Sequence, residues 1–278
     1  MSNILVIGRG FIGTKLHAHL SERKRSVICI SQKNVDYTNE RILVKYLKEN
    51  SFSHVINCCG YTGIPNVDGC ESNKDLCWKY NVTVANTIDK ICAQNNIKCM
   101  HVSSGCIYTG YDKDYEETDT PNFGLFNVNS SFYSKSKHAF ETVYNKTNSA
   151  VLRIRMPFTS LRENKNYLYK LLKYDNLISH KNSLTSVEDL CDFIHKFIDA
   201  FAPGIYNVVN PNPLNAREIT TIMKKYAKVN VNWKFVDVKD LNIIAGRSNC
   251  VLSCNKLKSL GLCLPDSHVS LDTCIKEL

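Results

Sequence analysis

The sequence has no CxxC pair, no internal repeat, no low-complexity linker and no long apolar run. Each absence removes a class of protein. Without CxxC, neither a zinc ribbon nor a thioredoxin-like site is expected, and the spacings Cys70–Cys77 and Cys250–Cys254 fit no common metal pattern. No metal is therefore expected. The 13 cysteines are an odd number and scattered, which suits free thiols in a reducing cytosol better than a disulfide framework. The segment from Met1 to Gly8 lacks the basic region and apolar stretch of an export signal. No run approaches the roughly 18 apolar residues that a membrane helix needs. A cytoplasmic protein with no membrane partner is expected. Positive charge is in excess, 35 Lys and Arg against 26 Asp and Glu, but only Glu22-Arg-Lys-Arg25 forms a cluster. Nucleic acid is not an expected partner, and an anionic small molecule accounts for the excess equally well.

What is present is alternation. A chain of 278 residues corresponds to one large domain, or one domain with a smaller appendage. Short Val- and Ile-rich runs at Asn3–Ile7, Ser26–Ser31, His54–Cys58, Lys98–Ser103 and Ala150–Arg155 predict buried parallel strands. Helices are predicted between them near 12–22, 40–49, 74–94 and 132–147. In the third, Leu76, Tyr80, Val84 and Ile88 recur every four residues as an apolar face. The fold class this implies is α/β, a Rossmann-type doubly wound parallel sheet with a smaller, interleaved C-terminal part. After Pro157 the elements shorten, with helices predicted near 164–174, 187–200 and 216–227. A late strand at Gly204–Val209, expected to return to the main sheet, ends at the turn-rich Asn210-Pro-Asn-Pro213. Residues 1–156 form the expected nucleotide-binding domain and 157–278 the mainly substrate-binding part.

Gly8, Arg9, Gly10, Phe11, Ile12 and Gly13 spell G-x-G-x-x-G between the first strand and the first helix, the context in which this motif cradles a dinucleotide pyrophosphate. The second strand runs into Ser31-Gln-Lys33 rather than the Asp or Glu that an NAD-specific site places on the ribose. Arg9 and Lys33 make an acid-free, cationic pocket suited to a 2′-phosphate, so NADPH is favoured, with NADH the alternative and Asp36 able to reach the adenine. Tyr133 and Lys137 form Tyr-x-x-x-Lys, one helical turn apart on one face. A neighbouring ammonium is expected to lower the tyrosine pKa and make it a proton donor. Tyr169 and Lys173 match the same pattern, but Tyr133 opens a helix that can meet Ser104 at the end of the fourth strand, where open α/β sheets bind ligands.

Together, the glycine loop, Ser104, Tyr133 and Lys137 resemble the extended short-chain dehydrogenase/reductase superfamily. The runs Asn57-Cys-Cys-Gly-Tyr-Thr-Gly-Ile-Pro-Asn-Val-Asp-Gly-Cys-Glu71, Ser104-Gly-Cys-Ile107, Ser131-Phe-Tyr-Ser-Lys-Ser-Lys137, Arg153-Ile-Arg-Met-Pro157 and Arg247-Ser-Asn249 narrow the likeness. They are similar to the bifunctional UDP-4-keto-6-deoxyglucose 3,5-epimerase/4-reductases of UDP-rhamnose synthesis, relatives of dTDP-4-dehydrorhamnose reductase. The resemblance implies epimerisation at carbons 3 and 5 by a Cys and a Lys, matching Cys106 and Lys170. Reduction at carbon 4 follows, with Tyr133 as proton donor, Ser104 holding the carbonyl oxygen and Lys137 on the nicotinamide ribose. If the fourth strand continues past Ser104, Cys106 points the same way. Cys58, Cys59 and Gly60 are expected to line the cofactor, Arg247 to clamp the UDP phosphates and Asn166 to touch the sugar nucleotide. Serine replaces the family's usual threonine at 104, and Cys58-Cys59 its Ala-Ala, without loss of a catalytic group. No dehydratase precedes Met1, so the 4-keto substrate is expected from a separate 4,6-dehydratase, and a homodimer is expected from the family. Two alternatives stay open: a reductase acting alone on dTDP-4-dehydrorhamnose, and a non-catalytic regulatory subunit.

Overall fold

The computed structural model describes residues 3–226 and 231–278. The first half alternates strand and helix in the order β1 (Asn3–Ile7), α1 (Phe11–Glu22), β2 (Val27–Ile30), α2 (Glu40–Asn50) and β3 (Phe52–Asn57). Next come α3 (Asp68–Ser72), α4 (Lys74–Trp78), α5 (Ala85–Gln94), β4 (Lys98–Ser104), β5 (Gly110–Tyr115), α6 (Phe132–Glu141) and β6 (Ser149–Ile154). The second half holds β7 (Pro157–Phe158), α7 (Tyr167–Lys173), β8 (Asn176–Ile178), β9 (Asn182–Ser186), α8 (Val187–Asp199), β10 (Gly204–Asn207), β11 (Asn210–Leu214) and α9 (Ala216–Tyr226). It closes with β12 (Lys234–Val236), β13 (Cys250–Leu252), α10 (Asn255–Ser259) and α11 (Ser267–Glu277).

Six strands form one sheet in the order β2-β1-β3-β4-β6-β10, every neighbouring pair parallel. Parallel strands buried on both faces need apolar residues at successive positions, which is how β1 reads. Its Ile4 and Val6 face α1 and α8, while Leu5 and Ile7 face α2 and α5. Strand order reverses about β1, so the connections leaving β1 and β3 turn to opposite faces of the sheet and open the crevice where such sheets bind ligands. A second core, built on Phe158, Leu168, Leu184, Ile219, Met223 and Leu271, lies among α7, β9, α9 and α11. No helix among the described residues is long and apolar enough to cross a membrane.

Several local expectations need correction. The helix predicted over 74–94 is broken by a π-helical turn, Lys79–Val84, between α4 and α5. The extra residue per turn rotates the four-residue stripe out of line, leaving Leu76 44% exposed while Val84 and Ile88 are buried. The helix predicted over 132–147 stops at Glu141. The segment from Asn210 is not a turn but β11, antiparallel to β9, and β10 ends before it at Asn207. The predicted helix end at 227 lies outside the described residues.

Candidate active site

β1 hands over to Gly8, whose φ of +105° lies in the left-handed region that glycine takes without strain. A Cβ there would stand 2.8 Å from the Cys59 backbone nitrogen, so the loop touches the exit of β3 backbone to backbone. A Cβ on Gly13 would overlap the Gly8 carbonyl oxygen. Gly10 is different: nothing lies within 4 Å of a Cβ built on it. It begins α1 without a side-chain cap, so the first N–H groups of the helix have no partner from that residue. A tight turn, an open central position and an uncapped helix N-terminus fit a dinucleotide diphosphate. Gly13→Ala is expected to cost about 1–3 kcal/mol through overpacking, whereas Gly10→Ala should move the thermal midpoint little; thermal unfolding of both variants checks this.

Around this cradle, Arg9 reaches the Cys29 thiol on β2, where burial pushes the thiol up and the guanidinium draws it back. Lys33 is exposed. Asp36 is held below the usual carboxylate range by the Thr38 hydroxyl, to which it is bonded at 2.7 Å. Past β3, Cys59 N–H donates to Asn57 Oδ1 at 3.0 Å. The following turn is pinned by Asn81, which accepts from Tyr61 N–H at 2.9 Å and donates to Tyr61 O at 2.8 Å. A Cβ on Gly60 would sit 3.4 Å from Lys137 Nζ, so this turn and Lys137 share one wall.

Ser131 caps α6 by accepting from Ser134 N–H at 3.1 Å. That start places Tyr133 and Lys137 a turn apart and inward, each 8% exposed, with Lys137 Nζ 5.9 Å from the tyrosine ring centroid. The expected lowering of the tyrosine pKa is not what this geometry produces. Burial, reinforced by Cys106, pushes the Tyr133 phenol well above its ordinary value against the opposing Ser104 hydroxyl, and burial lowers the Lys137 ammonium. Desolvation outweighs the ammonium because it penalises both charged forms together. β4 does not continue past Ser104; a turn at Gly105 carries Cys106 round instead, and Cys106 N–H donates to Ser104 Oγ at 3.2 Å. Half-buried Cys106 packs beside Tyr133, Cys70 and Cys77. Lys170, on α7, is lowered by burial and then by Lys165, and Cys106 acts on it in the opposite direction. Ser104, Cys106, Tyr133 and Lys137 thus lie together, with Lys170 on α7 near enough to Cys106 to feel its charge.

Two predicted contacts have other partners. Asn166 is fully buried and spends its amide internally: Oδ1 accepts from Thr159 and Leu168 N–H, and Nδ2 donates to Thr159 and Leu161 carbonyls. It caps α7 and has no hydrogen left for a sugar nucleotide. Arg247 forks onto Asp68, with bonds of 2.8 and 2.9 Å. The second Tyr-x-x-x-Lys pair, Tyr169 and Lys173, lies along α7 with the ammonium 4.4 Å from the ring. Two further cations stand near the site. Lys165 donates to Thr62 Oγ1 at 2.6 Å and Gly63 O at 2.8 Å, and nothing local marks it. Arg155 was visible only inside the Arg-Ile-Arg-Met-Pro run. Metal-type donors do meet at Asp89, Cys99 and His101, all buried where α5 meets β4. His101 is 3.1 Å from Asp89 Oδ1 and 3.1 Å from Asn57 Nδ2, while Asn145 N–H donates to Asp89 Oδ2 at 2.6 Å.

A family model described as the RmlD substrate binding domain matches residues 1–278. A bifunctional dTDP-4-dehydrorhamnose 3,5-epimerase/dTDP-4-dehydrorhamnose reductase of Arabidopsis thaliana is 34% identical over 219 residues, covering 74% of this chain and 71% of the relative. A trifunctional UDP-glucose 4,6-dehydratase/UDP-4-keto-6-deoxy-D-glucose 3,5-epimerase/UDP-4-keto-L-rhamnose-reductase of the same plant is 32% identical over 217 residues. That match covers 74% of this chain but only 32% of the longer relative. Among solved structures, a UDP-rhamnose synthase of Acanthamoeba polyphaga mimivirus superposes with a TM-score of 0.91, 22% identity and full coverage of both chains. A dTDP-4-dehydrorhamnose reductase of Bacillus anthracis in complex with NADP superposes at 0.86, with 21% identity and full coverage of both. At these identities the structural likeness establishes the fold.

Proposed function

The chain belongs to the RmlD substrate binding domain family, as an enzyme of the 4-dehydrorhamnose reductase kind, and from that premise we propose that it converts UDP-4-keto-6-deoxy-D-glucose to UDP-L-rhamnose. The reaction would epimerise carbons 3 and 5 and then reduce the 4-keto group with NADPH. The observation that carries this reading is Cys106 packed beside Tyr133 and bonded to Ser104, with Lys170 on α7 near enough to feel the sulfur's charge, a pair that a reductase alone does not require. The Arabidopsis relative named as both epimerase and reductase supports it.

The order follows from chemistry. The protons at carbons 3 and 5 are acidic only while the ketone at carbon 4 can take up charge as an enolate, so epimerisation precedes reduction. One group takes a proton and another returns it to the opposite face; Cys106 and Lys170 fill these roles. In the reduction, Ser104 holds the carbonyl oxygen and Tyr133 gives it a proton. Burial keeps the phenol protonated at neutral pH, which leaves it ready as donor. The nicotinamide, when bound, supplies the hydride. Gly8, Gly10 and the start of α1 would hold its diphosphate, with Lys137 and Cys58 to Gly60 along the nicotinamide half. Arg9 and Lys33, with no carboxylate at the end of β2, favour the 2′-phosphate form, as in the NADP complex of the Bacillus anthracis reductase. Residues 1–156 would carry the cofactor and 157–278 mainly the substrate, with a separate 4,6-dehydratase as its source.

The test is NADPH oxidation with UDP-4-keto-6-deoxyglucose, with the sugar product identified. The wild-type chain is expected to give UDP-rhamnose, and Cys106→Ala to lose that product by at least the factor of about 10² typical of a lost acid–base group. NADPH consumption without rhamnose from the wild type would leave a reductase that does not epimerise.

A further inference from the structure

Arg155 is 1% exposed, and none of its hydrogen-bond partners is a carboxylate. Nη1 donates to Cys106 Sγ at 2.9 Å and to Ser248 Oγ at 3.0 Å. Nη2 donates to Asn182 Oδ1 and to Ser248 O, and Nε is buried without any partner. A buried guanidinium left without a counter-charge is costly, so such charges are normally paired. Of the groups on Arg155, only Cys106 can become an anion. Arg153, two residues earlier, shows the contrast: it is equally buried but paired with Glu141 at 2.7 Å.

The backbone is shaped for this contact. A Cβ on Gly105 would lie 3.1 Å from Arg155 Cδ, so glycine lets the arginine stem pass under the turn from Ser104 to Cys106. The other ionisable groups around the sulfur are Cys70 on α3, Cys77 on α4, Tyr133 and Lys137 on α6 and Lys170 on α7, with Cys250 on β13 and Tyr111 on β5 beyond Arg155. Cys250 is fully buried, its thiol is pushed up by that burial, and it donates to Gly105 O at 3.7 Å, so it keeps its proton.

We propose that Arg155 is a positioning residue that holds Cys106 as a thiolate, making Cys106 the base of the epimerisation and Lys170 the acid. The inference rests on the epimerase reading above. As the bond from carbon 3 or 5 to hydrogen breaks, an S–H bond forms on Cys106 and the electron pair moves onto the 4-keto oxygen. The pair then returns to carbon as an N–H bond of Lys170 breaks and the new C–H bond forms on the other face. One proton passes from Lys170 to Cys106 overall, and exchange with water resets both. Burial and the neighbouring Lys165 ease proton release from Lys170, the direction an acid needs.

The test follows Cys106 itself. The full chain is alkylated with iodoacetamide between pH 7 and pH 9, and the label on Cys106 is read by peptide mass spectrometry, with buried Cys99 on β4 as internal control. Wild-type Cys106 is expected to react at nearly constant rate. Arg155→Met is expected to react at least about tenfold more slowly at pH 7 and to gain about tenfold per pH unit, as a thiol does when it must first ionise. Arg155→Lys keeps the charge and should recover much of the wild-type profile. In parallel, deuterium uptake from D2O into carbons 3 and 5 of the 4-keto sugar, without NADPH, should fall in Arg155→Met and partly return in Arg155→Lys. A wild-type rate that itself climbs tenfold per pH unit overturns the inference, even if Arg155→Met does not fold, and so does an unchanged profile in a folded Arg155→Met. Continued deuterium uptake by Cys106→Ala overturns the epimerase reading instead, whatever Arg155 does.

Discussion

Tyr133→Phe is expected to cut NADPH-dependent reduction of the 4-keto sugar by about 10²–10⁴, the usual contribution of a positioned proton donor. The ring is buried among Cys70, Cys77, Cys106 and Phe132, and phenylalanine keeps that packing while deleting only the hydroxyl. The loss should therefore fall on kcat with little change in KM or in thermal midpoint. Its neighbours Lys137 and Ser104 are poor substitutes. Lys137 sits beneath the ring and is itself driven toward its neutral form, and Ser104 is a far weaker acid than a phenol. Steady-state turnover beside a thermal melt checks this; a Tyr133→Phe enzyme turning over at the wild-type rate would move the donor elsewhere in the site.

The parts of this site that were legible in the sequence are those whose partners lie close along the chain. Gly8 to Gly13 is one turn between a strand and a helix. Tyr133 and Lys137 are one helical turn apart and follow a Ser cap two residues upstream, so local spacing is enough to aim both. Distant partners are another matter. Arg247 reads as a free cation until Asp68, 179 residues away, is seen in its fork. Asn166 reads as a polar residue free for ligand until the loop from Thr159 to Leu161 closes round it. The stripe from Leu76 to Ile88 fails for a subtler reason: four-residue spacing presumes one continuous α-helix, and the π turn after Trp78 changes the angular step midway. The tyrosine pKa fails because the spacing supplies the neighbouring charge but not the burial, and burial is the larger effect.

Arg153→Met is expected to destabilise the protein by about 3–5 kcal/mol, because it leaves Glu141 charged and unpaired in the interior. Both side chains are almost fully buried, 2% and 3% exposed, and the pair is forked: Nη2 meets Oε2 at 2.7 Å and Nε meets the same oxygen at 3.1 Å. Tyr108 accepts from the remaining nitrogen at 3.0 Å, and Ser103 Oγ donates to Glu141 Oε1 at 3.1 Å. Replacing both partners, Arg153→Met with Glu141→Leu, should restore most of the stability, since apolar side chains of similar volume commonly match a buried ion pair. Urea unfolding of the single and double variants measures both. Activity should not follow stability. Glu141 lies about two turns beyond Tyr133 on α6, and Ser103 adjoins Ser104 at the end of β4, so the ion pair ties the proposed donor's helix to β6 while Glu141 also takes the Ser103 hydroxyl of β4. A small change in the gap between Tyr133 and Ser104 is costly, a displacement of about 1 Å being enough for about 10² in rate. The double variant is thus expected to regain its fold while turning over well below wild type. If stability and turnover return together, the pair serves the core alone; if only stability returns, it sets the distance across which Tyr133 delivers its proton.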